Sequence, residues 1–169
     1  MEVLAGKLDV EDLDGFVREL GAIGDRYGVT AQAIDARYVA GRRHLERAVT
    51  LADRAIERDE NVARDRAVEI LLYAAGRRQI DRALEMGVSA GETDAVVLVD
   101  GSGDERSAVE ALETTFEGLE RIPPGAALSS GDGDTLSTFF DVTAEEREAT
   151  DATLEALVCE RVALLDVEK

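Results

Sequence analysis

Ala95-Val96-Val97-Leu98-Val99 is an unbroken run of apolar, mostly β-branched residues. A strand without polar alternation has both faces covered, so this run predicts a strand in the middle of a sheet. Its neighbours in sequence supply the rest of that sheet. Glu2 to Leu8 reads as a first strand. Val29 to Ala40 alternates, with Ile34, Ala36 and Tyr38 on one face, and predicts a second. Between them Leu13, Phe16, Val17, Leu20 and Ile23 follow helical spacing behind a cap at Asp9. Helices are expected from about Arg42 to Arg58, after Asn61 through Ala75 to Gly76, and from Arg77 to Met86. Downstream, Ser102-x-x-Glu105 has capping-box form and opens a helix to about Leu119. Ser130-Gly-Asp-Gly-Asp134 reads as a turn and Thr135 to Val142 as a further strand. Thr143-x-x-Glu146 is a second capping box, opening one long C-terminal helix through Leu154, Leu157, Val158 and Val162. No repeat or long linker breaks this order. The expected fold is α/β (α+β): a single domain over residues 1–169, a mixed β-sheet packed with helices.

Composition narrows the class of protein. A chain of 169 residues is long enough to bury roughly 70% of its unfolded surface. Hydrophobic residues make up 45%, too many for a disordered acidic tail, and Trp is absent, so the core is aliphatic. The apolar run Ile70 to Ala75 falls far short of the ~18 residues that a membrane span requires. With no N-terminal signal pattern, the expectation is a globular, cytoplasmic protein without a membrane partner. A single cysteine, Cys159, rules out an internal disulfide and a cysteine zinc cage. A single histidine, His44, rules out a multi-histidine metal site. The net charge is −18, and Lys occurs only at positions 7 and 169, so nearly every base is Arg. Such an acidic, lysine-poor surface resembles proteins of salt-loving archaea. At ~1 M salt the screening length is ~3 Å, so the self-repulsion costs little.

Catalytic chemistry finds little footing. Gly101-Ser-Gly103 follows a strand and precedes a helix, but it lacks the third glycine of a dinucleotide loop and the lysine of a P-loop. Asp100, Asp104 and Glu105 around it would repel phosphate, so it reads as a plain turn. Asp132 and Asp134 lack the glycine and glutamate that complete a calcium loop. Cys159 sits in a helical apolar stripe, as a structural cysteine does, and no nucleophile can be placed beside His44. No cofactor is expected.

The bases are concentrated. Between Arg37 and Arg82 lie 11 Arg and 8 acids, net +3; the remainder of the chain carries −21. On a helix turning about 100° per residue, Arg43, Arg47, Arg54 and Arg58 fall within a stripe of about 60°. Gly41-Arg42-Arg43 and Gly76-Arg77-Arg78 each set a glycine and two arginines where a helix is expected to begin. Free amides at a helix start favour anions, and guanidinium forks match phosphate. Two such starts together would cradle a few phosphates. The plain alternative is that Gly76 only ends one helix and starts the next.

Val39-Ala-Gly-Arg-Arg-His-Leu-Glu-Arg-Ala48, Glu69-Ile-Leu-Leu-Tyr-Ala-Ala-Gly-Arg-Arg-Gln-Ile80, Ala83-Leu84-x-x-Gly87 and the ending Leu157-Val-Cys-Glu-Arg-Val-Ala-Leu-Leu165 resemble a known family. That family is the small kinase-binding regulatory subunit of the KEOPS complex, the TPRKB family. The resemblance is closest over Ala33 to Gly87, moderate in the C-terminal helix, and one of layout elsewhere. It implies a non-catalytic subunit of the complex that installs threonylcarbamoyladenosine on tRNA. Such a subunit binds the small atypical kinase acting as an ATPase, lies only indirectly beside the catalytic threonylcarbamoyl-transferase subunit, and anchors the tRNA 3′ CCA end. Arg42, Arg43, Arg47, Arg77 and Arg78 would then hold the RNA backbone, with His44 and Gln79 reading or stacking on bases. Ile80, Leu84 and Met86 are apolar candidates for the kinase interface but read more readily as core, so that interface is unassigned. Two other readings stay open from the residues alone: an acidic α/β protein–protein adaptor without an RNA role, and a stand-alone enzyme using His44 as base.

Overall fold

The computed structural model describes residues 1–128 and 131–167. Ser130, assigned above to a turn, lies outside them, as does Lys169. Elements are numbered in chain order. Two compact units emerge, neither of them continuous in sequence: residues 1–36 with 87–128, and residues 37–86 with 129–169.

The first unit is a four-stranded sheet, β1 (Glu2–Val10), β2 (Thr30–Asp35), β3 (Gly91–Asp100) and β4 (Leu119–Arg121), in the order β2-β3-β1-β4. The apolar run Ala95–Val99 is buried throughout and lies centrally, as its lack of alternation requires. The α/β class is as expected, while every strand pairing is antiparallel. Leu4 faces Val97 on one side, and Val97 faces Ala33 on the other. This row joins the core formed with α1 (Leu13–Tyr27) and α5 (Glu105–Thr115), through Phe16, Leu20, Ile23, Val109 and Leu112. Phe16 and Phe116 close it with ring centroids 4.9 Å apart. The turn at Gly101–Gly103 is structural. Gly103 N–H donates to Gly28 O at 3.2 Å and Gly101 N–H to a Glu105 carboxylate oxygen at 3.1 Å. Asp104, not Ser102, caps α5, accepting from Ser107 N–H.

The second unit is helical: α2 (Arg42–Glu57), α3 (Arg66–Ala75), the single turn α4 (Ile80–Ala83) running into a 3₁₀ turn at Leu84–Met86, α6 (Gly133–Phe139), α7 (Ala144–Glu148) and α8 (Leu154–Val167). α2 and α3 pack antiparallel. Arg66 grips Asp53 with two hydrogen bonds at 2.7 and 2.9 Å, and buried Glu69 accepts from Val62 and Ala63 N–H. The strand expected at Thr135–Val142 is corrected to α6. Buried Leu136 and Phe140 lie four apart, a spacing that suits both strand and helix periods. Asp132 decides the matter by capping the helix at Thr135 N–H, 3.1 Å. The long C-terminal helix is instead two, α7 capped by Thr143 and a separate α8. Among the described residues, no helix is long and apolar enough to cross a membrane.

Candidate nucleic-acid interface

α2 displays its arginines because its opposite face is apolar and buried. Leu45, Ala48, Val49, Ala52 and Ala55 are buried, which turns Arg43, Arg47, Arg54 and Arg58 outward. α8 runs parallel to α2 along this side: Arg43 meets Glu155 near one end and Arg54 meets Asp166 at 3.6 Å near the other. Between the helices lies a groove of about 490 Å³ lined by Arg43, Glu46, Arg47, Thr50, Ala156, Cys159, Glu160 and Ala163. The small side chains of α8 leave it open. Neither the Arg43 nor the Arg47 guanidinium forms an ion pair with a described residue. Arg42 is half-buried, its Nε 3.6 Å from a Glu46 carboxylate oxygen, and is not among the residues that line the groove. Burial, helped by Glu155, pushes the Cys159 thiol up against the opposing pull of Arg43 and Arg47, so it stays protonated at neutral pH.

The anion site expected at the start of α2 is already filled. Glu155 reaches across from α8 and accepts from Arg43 N–H at 3.1 Å. α2 has no acid of its own in its first turn, so Glu155 supplies the negative charge that its dipole favours. Gly41 is what admits it, since a Cβ there would run into the Glu155 carboxylate.

The second helix start is a correction. Gly76 is left-handed, φ 60°, and closes α3: its N–H donates to Tyr73 O, and Arg77 N–H donates to Leu72 O. Arg77 and Arg78 therefore follow a helix C-terminus, where they hold carbonyls. Arg77 stacks on Phe139 at 4.8 Å and donates to Gly76 O at 3.3 Å and to Phe139 O. Arg78 donates to Leu165 O at 3.3 Å near the end of α8. That point lies about 9 Å along α8 from Cys159, so these arginines do not converge with Arg43 and Arg47. Gln79 is exposed at the start of α4, and its side chain makes no cap.

His44 is corrected outright. It is fully buried against Phe140, with Ala40 N–H donating to Nδ1 at 3.1 Å and Nε2 donating to Ala74 O at 2.7 Å. A ring that accepts at one nitrogen and donates at the other is neutral. Burial lowers its pKa to about 4, the Ala74 carbonyl opposing weakly. It can neither stack on a base of RNA nor act as a general base. Sequence reasoning missed Glu155, for which no local signal exists: its partner lies 112 positions away.

The groove is thus of mixed charge, with Arg43 and Arg47 beside Glu46 and Glu160, and the imidazole of His44 lies buried away from solvent. The chain matches the family described as kinase binding protein CGI-121 over residues 9–166, nearly its whole length, and belongs to that family. No curated protein matches it.

Proposed function

We propose that this chain is the small, non-catalytic regulatory subunit of a KEOPS-type complex, binding its atypical kinase and holding tRNA by the 3′ CCA end during threonylcarbamoyladenosine modification. Membership of the kinase-binding family supports the kinase partner. The RNA half rests on one observation: Arg43 and Arg47, a turn apart on one wall of the α2–α8 groove, carry guanidiniums with no ion pair to a described residue. Each fork can take a phosphate. Glu46 and Glu160 in the same groove would repel a long polyanion, which favours a short single-stranded tail over a duplex. Arg42, Arg77 and Arg78 keep structural parts, and His44 leaves the set.

The test uses the reconstituted complex at about 1 M salt, with intact tRNA and tRNA lacking CCA. Wild type is expected to prefer intact tRNA, and the Arg43→Ala/Arg47→Ala variant to lose about tenfold in affinity, the effect of two weakened charge-assisted contacts. Equal binding of intact and truncated tRNA by wild type overturns the RNA half and leaves an adaptor alone.

A further inference from the structure

Arg43 and Arg47 line the α2 wall of the α2–α8 groove and Glu160 lines the α8 wall, yet none of these three side chains forms an ion pair with a described residue. Glu46, on the same wall as the arginines, differs, since Arg42 Nε lies 3.6 Å from its carboxylate. The other α8 residues of the groove, Ala156, Cys159 and Ala163, are too short to bridge it, and about 490 Å³ of space keeps the opposite charges apart. A plain polyanion answers only the arginines and is repelled by Glu160. The groove is complementary to a ligand that brings an anion to α2 and hydrogen-bond donors to α8. Its walls also touch at both ends: Glu155 accepts from Arg43 N–H, and Arg54 lies 3.6 Å from Asp166. About 16 Å of helix separates the two contacts. A slot bounded in this way suits the end of a strand better than its middle.

We infer that Glu160 accepts hydrogen bonds from the 2′- and 3′-hydroxyls of a terminal ribose while Arg43 and Arg47 hold the phosphate before it, so that the groove reads a free 3′ end. This rests on the RNA reading above and names the group on the RNA that the groove selects. An interior ribose has one free hydroxyl and a terminal one has two, side by side. Two adjacent O–H donors match the two oxygens of one carboxylate, and bonds to an ionised acceptor are the strong ones. The amino group of a base is the other donor that RNA offers. It occurs all along a strand, so it gives no reason for a slot bounded at both ends. In this arrangement Glu160 has a positive use in a groove where a carboxylate otherwise only weakens the hold on phosphate.

The test titrates the reconstituted complex at about 1 M salt with four tRNAs: intact, ending in 2′,3′-dideoxyadenosine, ending in adenosine stripped of its amino group, and lacking CCA. Wild type is expected to prefer the intact end over the dideoxy end about tenfold, the effect of hydrogen bonds to a charged group. Glu160→Ala, at an exposed helical position where alanine is well tolerated, should shrink that preference to about twofold or less. Loss of the negative charge alone moves both tRNAs together and leaves the ratio unchanged, so the ratio isolates the hydroxyl contact. Equal wild-type binding of the intact and dideoxy ends, with CCA still required, overturns the inference and leaves the RNA reading standing. A preference that survives Glu160→Ala overturns it as well. Weaker binding of the amine-stripped end with the dideoxy end unaffected overturns it and assigns Glu160 to a base. Wild type that binds tRNA lacking CCA as tightly as intact tRNA overturns the RNA reading itself, and this inference with it.

Discussion

His44 shows how burial converts a titratable side chain into a structural one. Its folded pKa, about 4, lies below the unfolded value of 6.5. Between these values the unfolded chain binds more protons than the folded one, so stability falls as the pH drops through this window. It is fully present above about pH 6.5 and levels off below about pH 4, a loss of about 3 kcal/mol. Melts of wild type and His44→Gln between pH 7 and 4 check this: the variant should lack that slope. His44→Leu leaves Ala40 N–H and Ala74 O without their partner and should cost about 2–4 kcal/mol at neutral pH. In sequence His44 stands between Arg43, which is exposed, and Leu45, which is buried; its own burial depends on the carbonyl of Ala74, thirty residues away. Arg77 and Arg78 were likewise legible as arginines and illegible as ligands of carbonyls, since Phe139 and Leu165 are distant in sequence.

At the scale of elements, the pairing of α2 with α8 carries the clearest consequence. Glu155→Ala removes the carboxylate from the α2 amides and should cost about 1 kcal/mol while raising affinity for tRNA, because an anion site opens beside Arg43. Gly41→Ala pushes the same carboxylate aside, so the two substitutions combined should destabilise by less than their sum in a double-mutant denaturation cycle. Features with one dominant local signal were readable: β3 from its unbroken apolar run, α2 from its arginine stripe, and the start of α7, though not its end, from Thr143. α6 was misread because Leu136 and Phe140 satisfy both periodicities, and β4, three residues long, has too little pattern to detect. The start of α4 was misplaced because Gly76 serves an ending and a beginning equally well in sequence, and only its left-handed backbone tells them apart.

For the molecule as a whole, charge sets the conditions. With −18 spread over 169 residues, the folded state repels itself, and salt should relieve this: melting temperature should climb between about 0.1 M and about 1 M salt. Through the same range tRNA binding should fall only shallowly, since two arginines release few counterions, and Arg43→Ala should reduce the slope of log affinity against log salt by about 1. The interleaving of the two units has a consequence for biosynthesis. The sheet has all of its strands once residue 128 has emerged from the ribosome. α2 and α3 are made long before that, yet the carboxylate that settles the head of α2 belongs to one of the last helices translated. A nascent chain must therefore carry its arginine-bearing helices half-assembled until synthesis is nearly over, and a message truncated before codon 155 would yield a finished sheet while the amides at the head of α2 still lack their carboxylate.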